Sequence, residues 1–224
     1  MHSLKKQIKI CSISAYATLS SRLNLSALSI LLKELYKIDN KFDNTRFRKK
    51  HGTVEAITGS RTFFNSLSFK LRFRILNSTH NLPVRIFTTG TVHIAGASDY
   101  DVTMKRAFQL ICGIVACCHE YDKYVEIVNN ADTFGLRNMR VAMLHTIYNH
   151  NKCIDHEMLT SILQKHDRNV RYDPCLHNAV NVRFLNNNGA FLIFKSGKIL
   201  ITGCKDMDIC ANELEQLLPY FLDL

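Results

Sequence analysis

The sequence predicts an α+β protein made of two copies of one unit, each reading strand, helix, several antiparallel strands, helix. Three observations predict it: an internal repeat, a change of hydrophobic period inside each copy, and a composition suited to a packed core. Residues 84–101, VRIFTTGTVHIAGASDYD, superpose without gaps on residues 191–208, FLIFKSGKILITGCKDMD. The two stretches share Ile86/Ile193, Phe87/Phe194, Gly90/Gly197, Ile94/Ile201, Gly96/Gly203, Asp99/Asp206 and Asp101/Asp208. Both follow one physical pattern, an apolar strand, a tight turn through Gly90 or Gly197, a second strand, and a glycine that ends it.

The elements follow in order. Lys9–Leu19 is extended and leads into an apolar helix over Leu25–Ile38. Ser68–Ile75 alternates, with Phe69, Leu71, Phe73 and Ile75 on one face and Lys70, Arg72 and Arg74 on the other. After the first hairpin, Val102, Ala107, Phe108, Ile111, Ile114, Val115 and Cys118 recur at helical spacing, and Ser98 with Asp101 makes a capping box. The second half repeats this with an extended stretch Tyr124–Asn130, a helix Ile154–Leu163, a strand Ala179–Phe184, the second hairpin, and a helix carrying Ile209, Leu214, Leu217, Leu218 and Phe221. The repeats therefore span 9–120 and 121–224. Their sheets are expected to join into one curved antiparallel sheet with helices on one face, leaving the other face for a ligand.

Composition narrows the ligand. The chain has 224 residues, 46% of them hydrophobic, and a net charge of +10, which suits a globular fold and attracts polyanions, nucleic acid first. The tightest basic cluster is Arg46, Arg48, Lys49 and Lys50. The longest weakly polar run, Ala107–Cys118, is too short to span a bilayer, and no secretory signal is visible. Eight cysteines without such a signal read as reduced, mostly buried thiols. Cys112, Cys117, Cys118 and His119 sit in an apolar helix, and His145, His150, Cys153 and His156 lack a second cluster, so no metal is expected. No nucleophile elbow or phosphate-binding glycine loop occurs, so neither enzyme chemistry nor a cofactor is expected.

IFKSGKILITGCK, 193–205, closely resembles the signature hairpin of the TATA-box-binding protein family, and IFTTGTVHIAGAS, 86–98, resembles the hairpin of that family's other repeat. YDPCLHNAVNVRF, 172–184, and LSSRLNL, 19–25, are similar to further family segments. Divergent copies of the family are known from eukaryotic and archaeal lineages and some large DNA viruses. The resemblance implies a saddle with helices on its convex face, whose concave sheet sits on the minor groove while paired phenylalanines wedge between base steps.

Carried over by motif position, Phe87 and Phe194 match the hairpin wedge phenylalanines. A single strand phenylalanine reads as core; duplication at one motif position turns that reading toward function. Leu192, Leu200 and Thr202 match groove-facing positions, Asn129 the central asparagine, and Arg183, Ser196 and Lys198 the phosphate contacts. The second wedge position of repeat two falls on His177, and that of repeat one near Ser66 or Ser68. Ser12 stands for the first-repeat asparagine, and Arg85, His93 and Ala95 replace two apolar residues and a threonine of the first hairpin. The first half thus looks suited to backbone contact. Residues 39–65 are an insertion relative to the family, expected to form either an extra DNA- or partner-binding loop or a disordered one.

The resemblance implies a general transcription initiation factor that binds double-stranded, A·T-rich promoter DNA and recruits other general factors and RNA polymerase. The expected site of action is the nucleus, or a cytoplasmic replication site if the chain is viral. Asp173 and Cys175 stand at the family's acidic pair, and the apolar helix around Leu110–Cys117, where the family is basic, is expected to offer a partner surface. The rival reading is an interaction scaffold of the same fold that no longer bends DNA; an accessory domain of a glycosylase or nuclease ranks last.

Overall fold

A computed structural model describes residues 2–36, 54–121, 126–185 and 188–222. The basic cluster Arg46–Lys50 lies outside them. The chain packs as two compact units: a first unit of Ser14–Arg140, and a second of Val141–Leu224 together with Met1–Ile13. In chain order the elements are α1 (His2–Lys5), β1 (Lys9–Leu19), α2 (Leu25–Tyr36), β2 (Val54–Phe63), β3 (Ser66–Ile75), β4 (Ser78–Phe87), β5 (Thr91–Ala97) and α3 (Lys105–Tyr121). There follow β6 (Leu136–Asn149), α4 (His156–Lys165), β7 (Val170–Arg171), β8 (Ala179–Arg183), β9 (Ala190–Phe194), β10 (Lys198–Cys204) and α5 (Met207–Leu217), closed by a 3-10 turn at Leu218–Phe221.

Strand order runs β2-β3-β4-β5-β1 in the first unit and β7-β8-β9-β10-β6 in the second. The α+β duplication is as expected. Both hairpin glycines take left-handed φ, +82° at Gly90 and +81° at Gly197. Each N–H closes the turn onto Phe87 or Phe194 at 2.9 Å. The segment between first strand and first helix crosses this turn in both units. Leu19 N–H donates to the Gly90 carbonyl and Leu23 to Thr88; His150 N–H donates to Gly197 and Ile154 to Lys195. A Cβ on Gly90 would collide with the Ser21 carbonyl oxygen, and one on Gly197 with that of Lys152, so only glycine fits.

Helix starts are duplicated too. Asn24 accepts from Ala27 N–H at 3.1 Å, and its counterpart Asp155 accepts from Glu157 and Met158. Asp206 accepts from Ile209 N–H at 2.9 Å and Asp99 from Val102 N–H at 2.6 Å. The cap before α3 is therefore Asp99, opening a π-helical turn at Tyr100–Met104, and not the expected Ser98/Asp101 box. Asp101 pairs instead with Lys105 one turn on, at 2.6 Å.

Alternation sorts each sheet into a helix-covered face and an open one. In β3, Phe69, Leu71 and Phe73 are buried while Lys70, Arg72 and Arg74 are exposed, as predicted. Pro83 is tolerated within β4 because the β4–β5 ladder covers only Val84–Ile86, so the missing N–H falls beyond its end. The second core gathers Val180, Val182, Phe191, Ile193, Ile199, Ile201, Leu214 and Leu217 beneath α4 and α5.

Four expectations are corrected. Residues 54–63, taken as part of a loop, form the edge strand β2, whose place in the strand order matches β7. Its alternation is hidden by Gly59 and by the shift in pairing between Thr58 and Arg61. The extended stretch placed at Tyr124–Asn130 is absent from 126–130, where Val128 makes only a single bridge to Leu23. The strand is β6, missed because only Leu144, Thr146 and Tyr148, in its second half, show a buried stripe. The apolar run in α3 offers no partner surface, because Leu110, Ile111, Ile114 and Val115 are all buried in the first unit's own core. The cysteines are all free, as expected of thiols, but Cys11, Cys153 and Cys175 are exposed. Burial pushes the Cys118 thiol, with Cys117 beside it, up to about 12.

Candidate nucleic-acid interface

The second unit's open face is built by cross-strand pairs. Asn181 lies opposite Leu192, Leu192 opposite Leu200, and Leu200 opposite Ile147. All four are half-buried, giving a mostly apolar strip two leucines wide. Beside it Thr202 lies 3.2 Å from His145 Nδ1 and 3.5 Å from the Met143 sulfur. Phe194 ends β9, half-buried, opposite Ala179. Its ring centroid is 6.3 Å from that of His177, at 52°. The exposed His177 accepts Ala179 N–H on Nδ1 at 3.1 Å, which places its remaining proton on Nε2. Arg183, Ser196 and Lys198 are exposed at strand ends and in the turn. A hollow of about 400 Å³ opens beside Phe194, between Tyr172, Pro174, Asn178, Lys195 and Ser196.

The first unit places different chemistry on the same lattice. Arg85 pairs with His93 where Leu192 pairs with Leu200, since Phe87 and Phe194 each lie two residues beyond. Ser68 stands opposite Arg85 as Asn181 stands opposite Leu192. Arg85 Nε donates to Ser68 Oγ at 3.1 Å, and its guanidinium lies 5.7 Å from the Phe63 ring centre. His93 stacks on Tyr16 with centroids 4.6 Å apart. Burial, and then the Arg85 charge, lowers the His93 pKa from its ordinary value. Glu55 on β2 is occupied by Arg72 and Arg74, each at 3.0 Å.

Register also locates residues that sequence matching missed. Ala179 faces Phe194, and His177 lies two residues before it. Ser66 faces Phe87, and two residues before it stands Phe64, in the turn between β2 and β3 and fully exposed, with Phe63 half-exposed beside it. The position sought near Ser66 or Ser68 is thus Phe64; Phe69 is core, 3% exposed. The sequence signal was the adjacent aromatic pair before Asn65. Ser12 lies half-buried on β1. Residues 19 and 150, and 23 and 154, are 131 apart and make equivalent bonds, so the counterpart of Ser12 is Met143 on β6. Asn129, taken as that counterpart, lies off the strands in a loop, its N–H donating to the Arg22 carbonyl.

A duplicated α+β unit with a hairpin-built sheet open on one face is the fold of the TATA-box-binding proteins. The solved structure of Methanococcus jannaschii TBP is similar over 97% of this chain and 99% of its own, with a TM-score of 0.60 and 17% identity. Residues 150–224 match the family described as transcription factor TFIID, or TATA-binding protein. Residues 150–224 thus carry the sequence pattern of that family, and nearly the whole chain has the TATA-binding-protein fold. No curated protein matches it in sequence.

Proposed function

We propose that the protein is a transcription initiation factor that binds A·T-rich promoter DNA in the minor groove and recruits further factors and polymerase. The single observation that carries this reading is the second unit's open face: Leu192, Leu200 and Thr202 on adjacent strands, ending at the half-buried Phe194. An apolar strip with one hydroxyl suits the floor of an A·T minor groove, which presents acceptors and no amino group. In this reading Phe194 in one unit, and Phe87 with Phe64 in the other, enter base steps, offsetting a few kcal/mol of unstacking with the wrapped surface of bent DNA. Arg183, Ser196 and Lys198 supply phosphate contacts. Ser12 lies farther along the open side of β1; Asn129 has no part in the reading. The test is binding to an A·T-rich duplex against a G·C-rich control, by fluorescence anisotropy. Wild type should prefer A·T by at least tenfold, and Phe194→Ala should lose most of that preference. Equal affinity for both duplexes, unchanged by Phe194→Ala, would sink the reading and favour the scaffold.

A further inference from the structure

A second feature lies on the first unit's open face. A hollow of about 430 Å³ is lined by Pro83, Ala95, Lys70, Arg85 and His93, brought together by β3, β4 and β5. Among the described residues no acid lines it; Glu55, on the neighbouring strand β2, is held by Arg72 and Arg74. Two cations, Lys70 and Arg85, converge there without a carboxylate and create a positive potential that an anion relieves, and the His93 ring beside them can add a hydrogen bond. Arg85 is fixed in place by Ser68 and Phe63, and His93 by its stack on Tyr16, so little ordering is left to do when an anion arrives.

We propose that this hollow seats a phosphate of a nucleic-acid backbone, so that the first unit grips the phosphodiester chain where the second unit lays leucines. The inference rests on the DNA-binding reading above and adds to it a division of labour between the two open faces. The comparison inside the molecule carries it: at the register positions of Leu192 and Leu200 stand Arg85 and His93. Changing both to leucine installs side chains that the same ladder already accommodates in the other unit.

The experiment measures affinity against salt concentration for an A·T duplex and for one of its strands alone, with wild type and Arg85→Leu/His93→Leu. The double variant should bind the duplex roughly tenfold more weakly, with a log–log salt slope shallower by about 1, since one lost phosphate contact removes about 0.9. A matching drop on the single strand, at about 0.7 per contact, assigns the hollow to the backbone of either form; a drop on the duplex alone restricts it to duplex phosphates. Both outcomes support the proposal. Lys70→Gln/Arg85→Gln, at two exposed positions, serves if the leucine variant unfolds, and should give the same loss. An unchanged slope in variants that stay folded overturns the phosphate site while leaving the DNA reading standing. Wild type that binds neither DNA form overturns both.

Discussion

The two units share a fold and differ in what they show to solvent. Hairpin glycine, crossing loop and helix caps occur in duplicate, because each solves a backbone problem that the topology poses twice. The open faces carry no such constraint. One displays Leu192, Leu200 and Ile147; the other displays Arg85, His93 and Tyr16 at matching register. Backbone geometry holds a duplicated fold together, while half-buried strand positions are free to change chemistry without unfolding it.

The largest expected effect tests the shared part. Gly90→Ala and Gly197→Ala should each destabilise the protein by about 3 kcal/mol through left-handed strain and collision with a carbonyl, read as equal falls in the urea midpoint. A large effect in one unit only would break the structural equivalence. Next, Phe191 and Phe194 separate core from surface within a single strand. Phe191, fully buried, should cost about 3–5 kcal/mol on truncation to alanine, whereas Phe194→Ala should cost clearly less, about 1–2 kcal/mol, because Phe194 is already partly exposed at the strand's end. Equal losses would place Phe194 in the core.

A third test sharpens the asymmetry of the wedge positions. His177→Phe gives the second unit the aromatic that the first has in Phe64, and should tighten A·T duplex binding several-fold by competition assay. A weaker complex would mean that the imidazole Nε2–H makes a contact of its own.

Acidity probes both units together. Burial holds His93, His150 and His156 below the ordinary imidazole value of 6.5, with Arg85, Lys152 and Lys195 respectively adding to the effect. In the unfolded chain these groups take up protons near pH 6.5 while the folded chain resists, so the unfolded state binds more protons and stability falls as pH drops through that window. Urea midpoints at pH 7.5 and 5.5 should show the decrease, and Asp155, whose pKa is lowered chiefly by Met158 N–H, contributes only at far lower pH. A midpoint that rises on acidification would contradict the burial argument. Smallest of all, Glu55→Gln should change stability by less than about 1 kcal/mol, as expected of solvent-exposed ion pairs, and raise duplex affinity slightly by releasing Arg72 and Arg74.

Much of this was legible in the sequence wherever one period held. The β3 stripe, β1 and the two hairpins all lie in segments where alternation or the internal repeat speaks. β2 and β6 were not legible: one is interrupted by a glycine and a shifted register, the other is exposed along its first half. For the same reason the asparagine matched at residue 129 fell in a loop, and Phe64 went unnoticed. Residue matching across an insertion loses register, whereas paired strands keep it.

The most direct test of the central claim is energy transfer between dyes on the two ends of a short A·T-rich duplex, titrated with wild-type protein at two salt concentrations. The account predicts saturable binding that draws the ends together, with the bend abolished by Phe194→Ala and the affinity falling steeply with salt. Binding that leaves the ends apart, equal on a G·C-rich duplex, would contradict it and leave only a basic surface on a TATA-binding-protein fold.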